Sequence, residues 1–261
     1  MIVTLTANPS LDRTATLDRP LTRGDVHRVN SVTVEPGGKG INVARVAHYA
    51  GHPVRAILPA APDDLILRGL DALRLSYRTV PLAEPVRINL TLTEADGTTT
   101  KINEPGPSLD AESVERLANL LVLESERADW VVLSGSLPPG VPAEWYADLV
   151  RALRPWGCRI AVDTSDAPLL ALAAQFPDAA PDLLKPNSEE LAQLTGADPV
   201  ALEAAAANGD PGACAEAART LVSRGVRAVM ATLGGAGAVL VTADGAWHAS
   251  PPPVTVRSTV G

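Results

Sequence analysis

Residues 36–42 read Pro-Gly-Gly-Lys-Gly-Ile-Asn and run straight into the helical pattern Val43-Ala44-Arg45-Val46-Ala47. Glycines at the mouth of a helix let a ligand approach the backbone, because no Cβ stands in the way. The helix N-terminus adds unpaired N–H groups and partial positive charge, which suit hydroxyl and phosphate oxygens. Lys39 sharpens this reading, since only three of the 22 Lys and Arg residues are lysine, at 39, 101 and 185. Where a surface cation suffices, this chain uses arginine. Two of the lysines fall in loops punctuated by glycine or proline, where a compact charge on a flexible stem is useful. For the motif alone the alternative is a glycine-rich turn with a solvated lysine.

Four more polar constellations each follow a strand-sized apolar run. Asn8-Pro9-Ser10-Leu11-Asp12 follows residues 2–7, and Asp12 either accepts hydrogen bonds from substrate hydroxyls or steadies the Asn-Pro turn. Ser134-Gly135-Ser136-Leu137-Pro138-Pro139-Gly140 follows 130–133, as an oxygen-binding loop or a rigid exit. Lys185-Pro186-Asn187-Ser188-Glu189-Glu190 follows Leu183-Leu184; there Glu190 either holds a Mg²⁺-bound water or simply suits the first turn of a helix. Thr232-Leu233-Gly234-Gly235-Ala236-Gly237 follows 226–231 and is a second glycine-rich loop able to wrap phosphates. Ligands of open α/β sheets sit beyond the carboxyl ends of the strands, which is where all four lie.

Such placement requires an alternating body. Strands are expected at 2–7, 54–58, 76–80, 130–133, 159–162, 183–184 and 226–231. Helices are expected at 41–50, 63–74, 110–127, 143–153, 169–175, 189–195 and 213–224. The alternation implies right-handed crossovers and a doubly wound, mostly parallel sheet with helices on both faces. Residues 12–34 and 86–103 break the rhythm with period-two alternation, as in Arg87-Ile88-Asn89-Leu90-Thr91-Leu92-Thr93, and the turn Ala95-Asp96-Gly97 carries hairpin chemistry. They read as a small β lid on an α/β body made of 1–11, 35–85 and 104–261. Residues 201–212, alanine-rich and then Asn-Gly-Asp-Pro-Gly, read as a mobile surface loop.

A chain of 261 residues is one large domain or a domain with an insert. Its net charge of −8 argues against nucleic acid or an anionic membrane as partner, and 3% aromatic residues leave little for base stacking. No apolar run is long enough to span a bilayer, and the N-terminus lacks a basic n-region. Cys158 and Cys214 stand far apart without metal spacing, as buried thiols of a cytoplasmic protein do. A dinucleotide-binding chain would place G-x-G-x-x-G after the first strand, where residues 7–12 hold no glycine. A P-loop would place a hydroxyl directly after its lysine, where Gly40 stands.

Together Gly37-Gly38-Lys39-Gly40-Ile41-Asn42 and the loops at 134–140, 185–190 and 232–237 resemble the ribokinase-like (PfkB) sugar kinases in order and spacing. Thr6-Ala7-Asn8-Pro9-Ser10-Leu11-Asp12 and Arg87-Ile88-Asn89 bring the resemblance closest to the 1-phosphofructokinase branch. It implies that Asp12, Gly37, Gly38 and Asn42 hold sugar hydroxyls, with Asn89 beside them. Lys39, Arg87 and Ser136 would contact substrate phosphate or the transferred group. Lys185, Asn187 and Glu190 would serve ATP phosphates and Mg²⁺, the last through water, while Thr232, Gly234, Gly235 and Gly237 line the nucleotide site. The implied reaction is ATP-dependent phosphorylation of fructose 1-phosphate, with tagatose 6-phosphate or fructose 6-phosphate as alternative acceptors and the lid as the contact of a homodimer. In related 6-phosphofructokinases a basic pair from the partner's lid reaches the sugar phosphate; the matching positions here are Asp25 and His27, with Arg23 and Arg28 nearby as the cations that could replace them.

Ser258-Thr259-Val260-Gly261 resembles the opening of the family's Thr-Val-Gly-Ala-Gly-Asp anion hole, with Gly261 at its start. The catalytic aspartate is expected three positions beyond Gly261, so the sequence reads as part of a longer kinase. A natural end at Gly261 would instead favour a sugar-phosphate-binding protein without turnover.

Overall fold

The structure is a computed structural model that describes residues 1–252. In chain order it opens with β1 (Ile2–Leu5), β2 (Ser10–Thr16), β3 (Ser31–Gly37), α1 (Lys39–Tyr49), β4 (Val54–Ala60) and α2 (Leu65–Ala72). There follow β5 (Tyr77–Pro81), β6 (Arg87–Thr93), β7 (Thr99–Asn103), α3 (Ala111–Ser125), β8 (Trp130–Ser134) and α4 (Trp145–Leu153). Next come β9 (Arg159–Asp163), α5 (Asp166–Ala174), β10 (Leu183–Leu184), α6 (Ser188–Thr195), α7 (Pro199–Ala207) and α8 (Gly212–Ser223). β11 (Ala228–Thr232), β12 (Ala238–Thr242) and β13 (Gly245–Ala249) close the described chain.

Nine strands form one sheet in the order β13-β12-β11-β10-β9-β8-β1-β4-β5, parallel except at one edge, where β12 pairs antiparallel with both β11 and β13. Alternation along β4 shows why both faces need cover. Val54, Ala56 and Leu58 join Ile41, Ile66 and Leu70 under α1 and α2. Ile57 points the other way, into the cluster of Val3, Leu5, Leu117, Leu121 and Tyr146 under α3 and α4. The chain winds from β1 towards β5, then from β8 towards β11, so the direction of winding reverses between β1 and β8. That reversal opens a crevice at their carboxyl ends.

Strands β3, β2, β6 and β7 make the second, four-stranded sheet. It differs from the expectation in one respect: residues 17–30 form no strand, and Thr16 pairs directly with Ser31 across that excursion. The loop expected at 201–212 is also corrected. Most of it is α7, whose N-cap Asp198 accepts from the N–H groups of Val200 and Ala201 with Pro199 in the first turn. Alanine has the lowest helix cost of any residue, so a strong cap and a run of alanines suffice, with Leu202 and Ala206 buried beneath. Strands β12 and β13 were not expected at all.

Candidate active site

Period-two alternation puts Ser10 and Asp12 of β2 and Asn89 of β6 on one face of the small sheet, and the register sets Asp12 beside Asn89. The Asp12 Oδ1 accepts from Ser10 Oγ at 2.7 Å and from Asn89 Nδ2 at 3.1 Å. Gly37 lies over this carboxylate so closely that a Cβ there would collide with it. The first glycine of the motif is therefore a close-approach glycine: it brings Asp12 to the mouth of α1. Gly38 caps that helix with φ 109 and no side chain, so no side chain caps its first-turn N–H groups.

Two of the three lysines converge on one residue. Lys39 Nζ lies 3.0 Å from Asp163 Oδ1, and Lys185 Nζ lies 3.1 Å from Asp163 Oδ2. Pairing of β9 with β10 explains the second contact, since Val162 stands opposite Leu184 and the next residues are Asp163 and Lys185. Asn187 and Glu190 form a complete capping box on α6: Asn187 Oδ1 accepts from the Glu190 N–H, and Glu190 Oε2 accepts from the Asn187 N–H at 2.9 Å. Burial raises the Glu190 carboxyl above its ordinary value; the cap N–H, Lys39 and Lys185 oppose that rise, and Asp163 adds to it. The capping reading of Glu190 is the one the geometry carries, in a side chain that also feels the charges of Lys39 and Lys185. Thr232 bridges to Asn187, while Gly234 and Gly235 beyond it face open space. Among the expected site residues, Gly234, Gly235 and Gly237 are tied to the others only through Thr232.

Arg87 is held by two backbone carbonyls, Glu104 O at 3.0 Å and Asn8 O at 3.3 Å, while its buried Nε has no partner. Burial lowers its pKa, against the pull of Asp12 and Glu104. Ser136 Oγ accepts from Asn8 Nδ2 at 3.3 Å. The adjoining Gly135 donates its N–H to Asp163 O at 2.9 Å, so the loop after β8 joins the Asp12–Arg87 side to the lysine side. Asn42 shares a cavity of about 680 Å³ with Lys39 and Asp163. Gly261 and the terminal motif lie outside the described residues.

Two residues escaped the sequence reading. Asp163 ends an apolar run just as Ser134 and Thr232 do, and that shared position was the available signal. Asn8 was legible only as part of a turn, because its partners are 97 and 128 residues away. Among the described residues no three His, Cys, Asp or Glu side chains group closely enough to hold a metal directly. The donors fit Mg²⁺ that arrives on nucleotide phosphates and keeps most of its waters, as this ion does.

A family model described as pfkB family carbohydrate kinase matches residues 5–261. The 1-phosphofructokinase of Xanthomonas campestris is 37% identical over 265 residues, covering 99% of this chain and 79% of that relative. The ATP-dependent 6-phosphofructokinase isozyme 2 of Escherichia coli is 34% identical, over 100% of this chain and 81% of its own length. The crystal structure of phosphofructokinase-2 from Escherichia coli in complex with substrates and products superposes with a TM-score of 0.87 at 32% identity, covering 100% of this chain and 81% of that one. The match to the family model and the identity along the whole sequence lead to one conclusion: this chain belongs to the PfkB family of carbohydrate kinases.

Proposed function

We propose that the protein transfers the γ-phosphoryl group of ATP to the free primary hydroxyl of fructose 1-phosphate, giving fructose 1,6-bisphosphate and ADP. The observation that carries this reading is the two-sided site. Asp12, Asn89, Arg87 and Ser136 form a hydroxyl- and phosphate-binding side, and Lys39, Lys185, Asn187 and Glu190 a polyphosphate side, joined through the 135–136 loop. Residues 12–34 and 86–103 act as a lid over a body of 1–11, 35–85 and 104–252, excluding water that would otherwise hydrolyse ATP. Asp12, Gly38 and Asn42 hold sugar hydroxyls; the open N–H groups of α1 and the 232–237 loop receive phosphate oxygens. Lys185, Asn187 and Glu190 would hold nucleotide phosphates and their Mg²⁺, which would supply neutralisation of the charge on those phosphates. The proton of the attacking hydroxyl goes to the aspartate expected in the motif that begins at Thr259.

Several relatives carry the name 1-phosphofructokinase, and the excursion after β2 favours the same acceptor. There Asp25 lies 3.8 Å from Arg19, and His27 Nε2 sits 3.1 Å from the backbone of Thr22, so these two positions offer no free cation to a 6-phosphate, and only the exposed Arg23 and Arg28 beside them could replace it. Protein that includes the expected aspartate should therefore show a higher kcat/KM with fructose 1-phosphate than with fructose 6-phosphate or tagatose 6-phosphate. Side-by-side kinetics that rank either 6-phosphate first would sink the assignment.

The reading also assigns a second copy of the chain to the outer face of the small sheet. Val34, Arg13, Leu90 and Ile102 lie in one row across its four strands, and Val32, Val34, Ile88 and Ile102 are exposed. Sedimentation should show a dimer, and a monomer at micromolar concentration would remove this partner.

A further inference from the structure

Asn8 sits at the winding reversal between β1 and β8, buried, at the meeting point of four segments that are remote in sequence. Its Nδ2 donates to Pro105 O at 3.0 Å and to Ser136 Oγ at 3.3 Å. Its carbonyl oxygen accepts from Arg87 at 3.3 Å. Its Oδ1 is buried without a partner and packs against Gly106, where a Cβ would collide with it. Pro105 O can only accept, so it takes the NH₂ end of the amide and leaves Oδ1 facing Gly106.

The direction of these bonds matters. Both hydrogens of the Asn8 amide are committed, one to Pro105 O and one to Ser136 Oγ. An amide N–H can only donate, so Ser136 Oγ must accept from it, and the serine's own hydrogen is left pointing elsewhere. Ser136 is exposed, so its own hydrogen remains available to a ligand oxygen. Through its backbone, Asn8 also holds one of the two carbonyls that aim Arg87.

We infer that Asn8 is a positioning residue for substrate: it sets the Ser136 hydroxyl as a hydrogen-bond donor to the phosphate or phosphoryl oxygens of the acceptor sugar and registers that donor against Arg87. This rests on the proposed sugar-phosphate site. Asp12 and the nucleotide loops make no side-chain bond to Asn8, so its effect should fall on one substrate only.

Calorimetric titration with fructose 1-phosphate and, separately, with ATP tests the inference on Asn8→Ala, Ser136→Ala, the double variant and Asn8→Asp. Asn8→Ala should weaken fructose 1-phosphate binding about tenfold, the size of one hydrogen bond to a charged group, and leave ATP within about twofold. In the Ser136→Ala background the same change should lose at least half of its effect, because the two residues act through one bond. Asn8→Asp is isosteric but reverses the bond, since a carboxylate would accept from the serine; it should weaken the sugar phosphate at least as much as alanine does. Equal fold-effects of Asn8→Ala with and without Ser136, or equal weakening of both ligands, would overturn the inference. Should Asn8→Asp fail to fold, the alanine cycle still decides. The unsubstituted protein is the separate control: fructose 1-phosphate binding there tests the site itself, and only the variants test Asn8.

Discussion

Arg87→Ala is expected to raise the KM for the sugar phosphate about thirtyfold and to leave the KM for ATP within about twofold, because a charge-assisted bond to phosphate is among the stronger ones. The geometry explains the asymmetry. Two backbone carbonyls, from Asn8 and Glu104, hold the guanidinium in place before any ligand arrives. Little side-chain freedom remains to be lost on binding. The Nε is buried without a protein partner, so any phosphate would meet the two terminal nitrogens of the guanidinium. Arg87→Lys should recover little, since an ammonium cannot reproduce a fork gripped by two carbonyls. Kinetics with each substrate varied in turn will check this, and a parallel rise in both KM values would return Arg87 to a purely structural part in β6.

Part of this arrangement was legible from residue order because lysine is rare in this chain and glycines cluster at 37–40 and 234–237. Residues 37–42 announce a close approach, and the structure supplies its other half, the Asp12 carboxylate under Gly37. The partner could not be named from order alone, since β2 and β3 pair across the fourteen residues from 17 to 30. The body was legible through alternation between strand-sized and helix-sized runs, as in β4, whose two faces serve two different clusters.

The failures share a cause. Alanine carries almost no amphipathic signal, so α7 was hidden behind its own composition, although Asp198 and Pro199 marked its start. Strands β12 and β13 are short and half exposed, and β12 exists because β11 offers it an edge. Asp163 was passed over because it is the last residue of a strand, where a polar side chain usually signals only the exit from the sheet. Its importance comes from what β10 and α1 bring beside it.

That position makes Asp163→Asn the more damaging change, expected to lower kcat/KM about 10²-fold for both substrates, the loss that accompanies a misplacement of roughly 1 Å in a reacting group. Asp163 gives one oxygen to Lys39 and the other to Lys185, so a single carboxylate fixes the cations at the mouth of α1 and after β10. An amide keeps the size but can accept from only one lysine, and it turns its N–H₂ towards the other ammonium. The two like charges then lose the negative group between them. Their repulsion, on the order of 1–2 kcal/mol after allowance for solvent screening, drives them apart. Both ammonium groups reach solvent, so the fold should survive and melting should change little. The pattern distinguishes this residue from Arg87: under the proposed function the lysines flank the path of the transferred group, so both substrates suffer together. Steady-state kinetics on Asp163→Asn within about threefold of the parent protein, or a defect confined to one substrate's KM, would show that the lysines find their places without it.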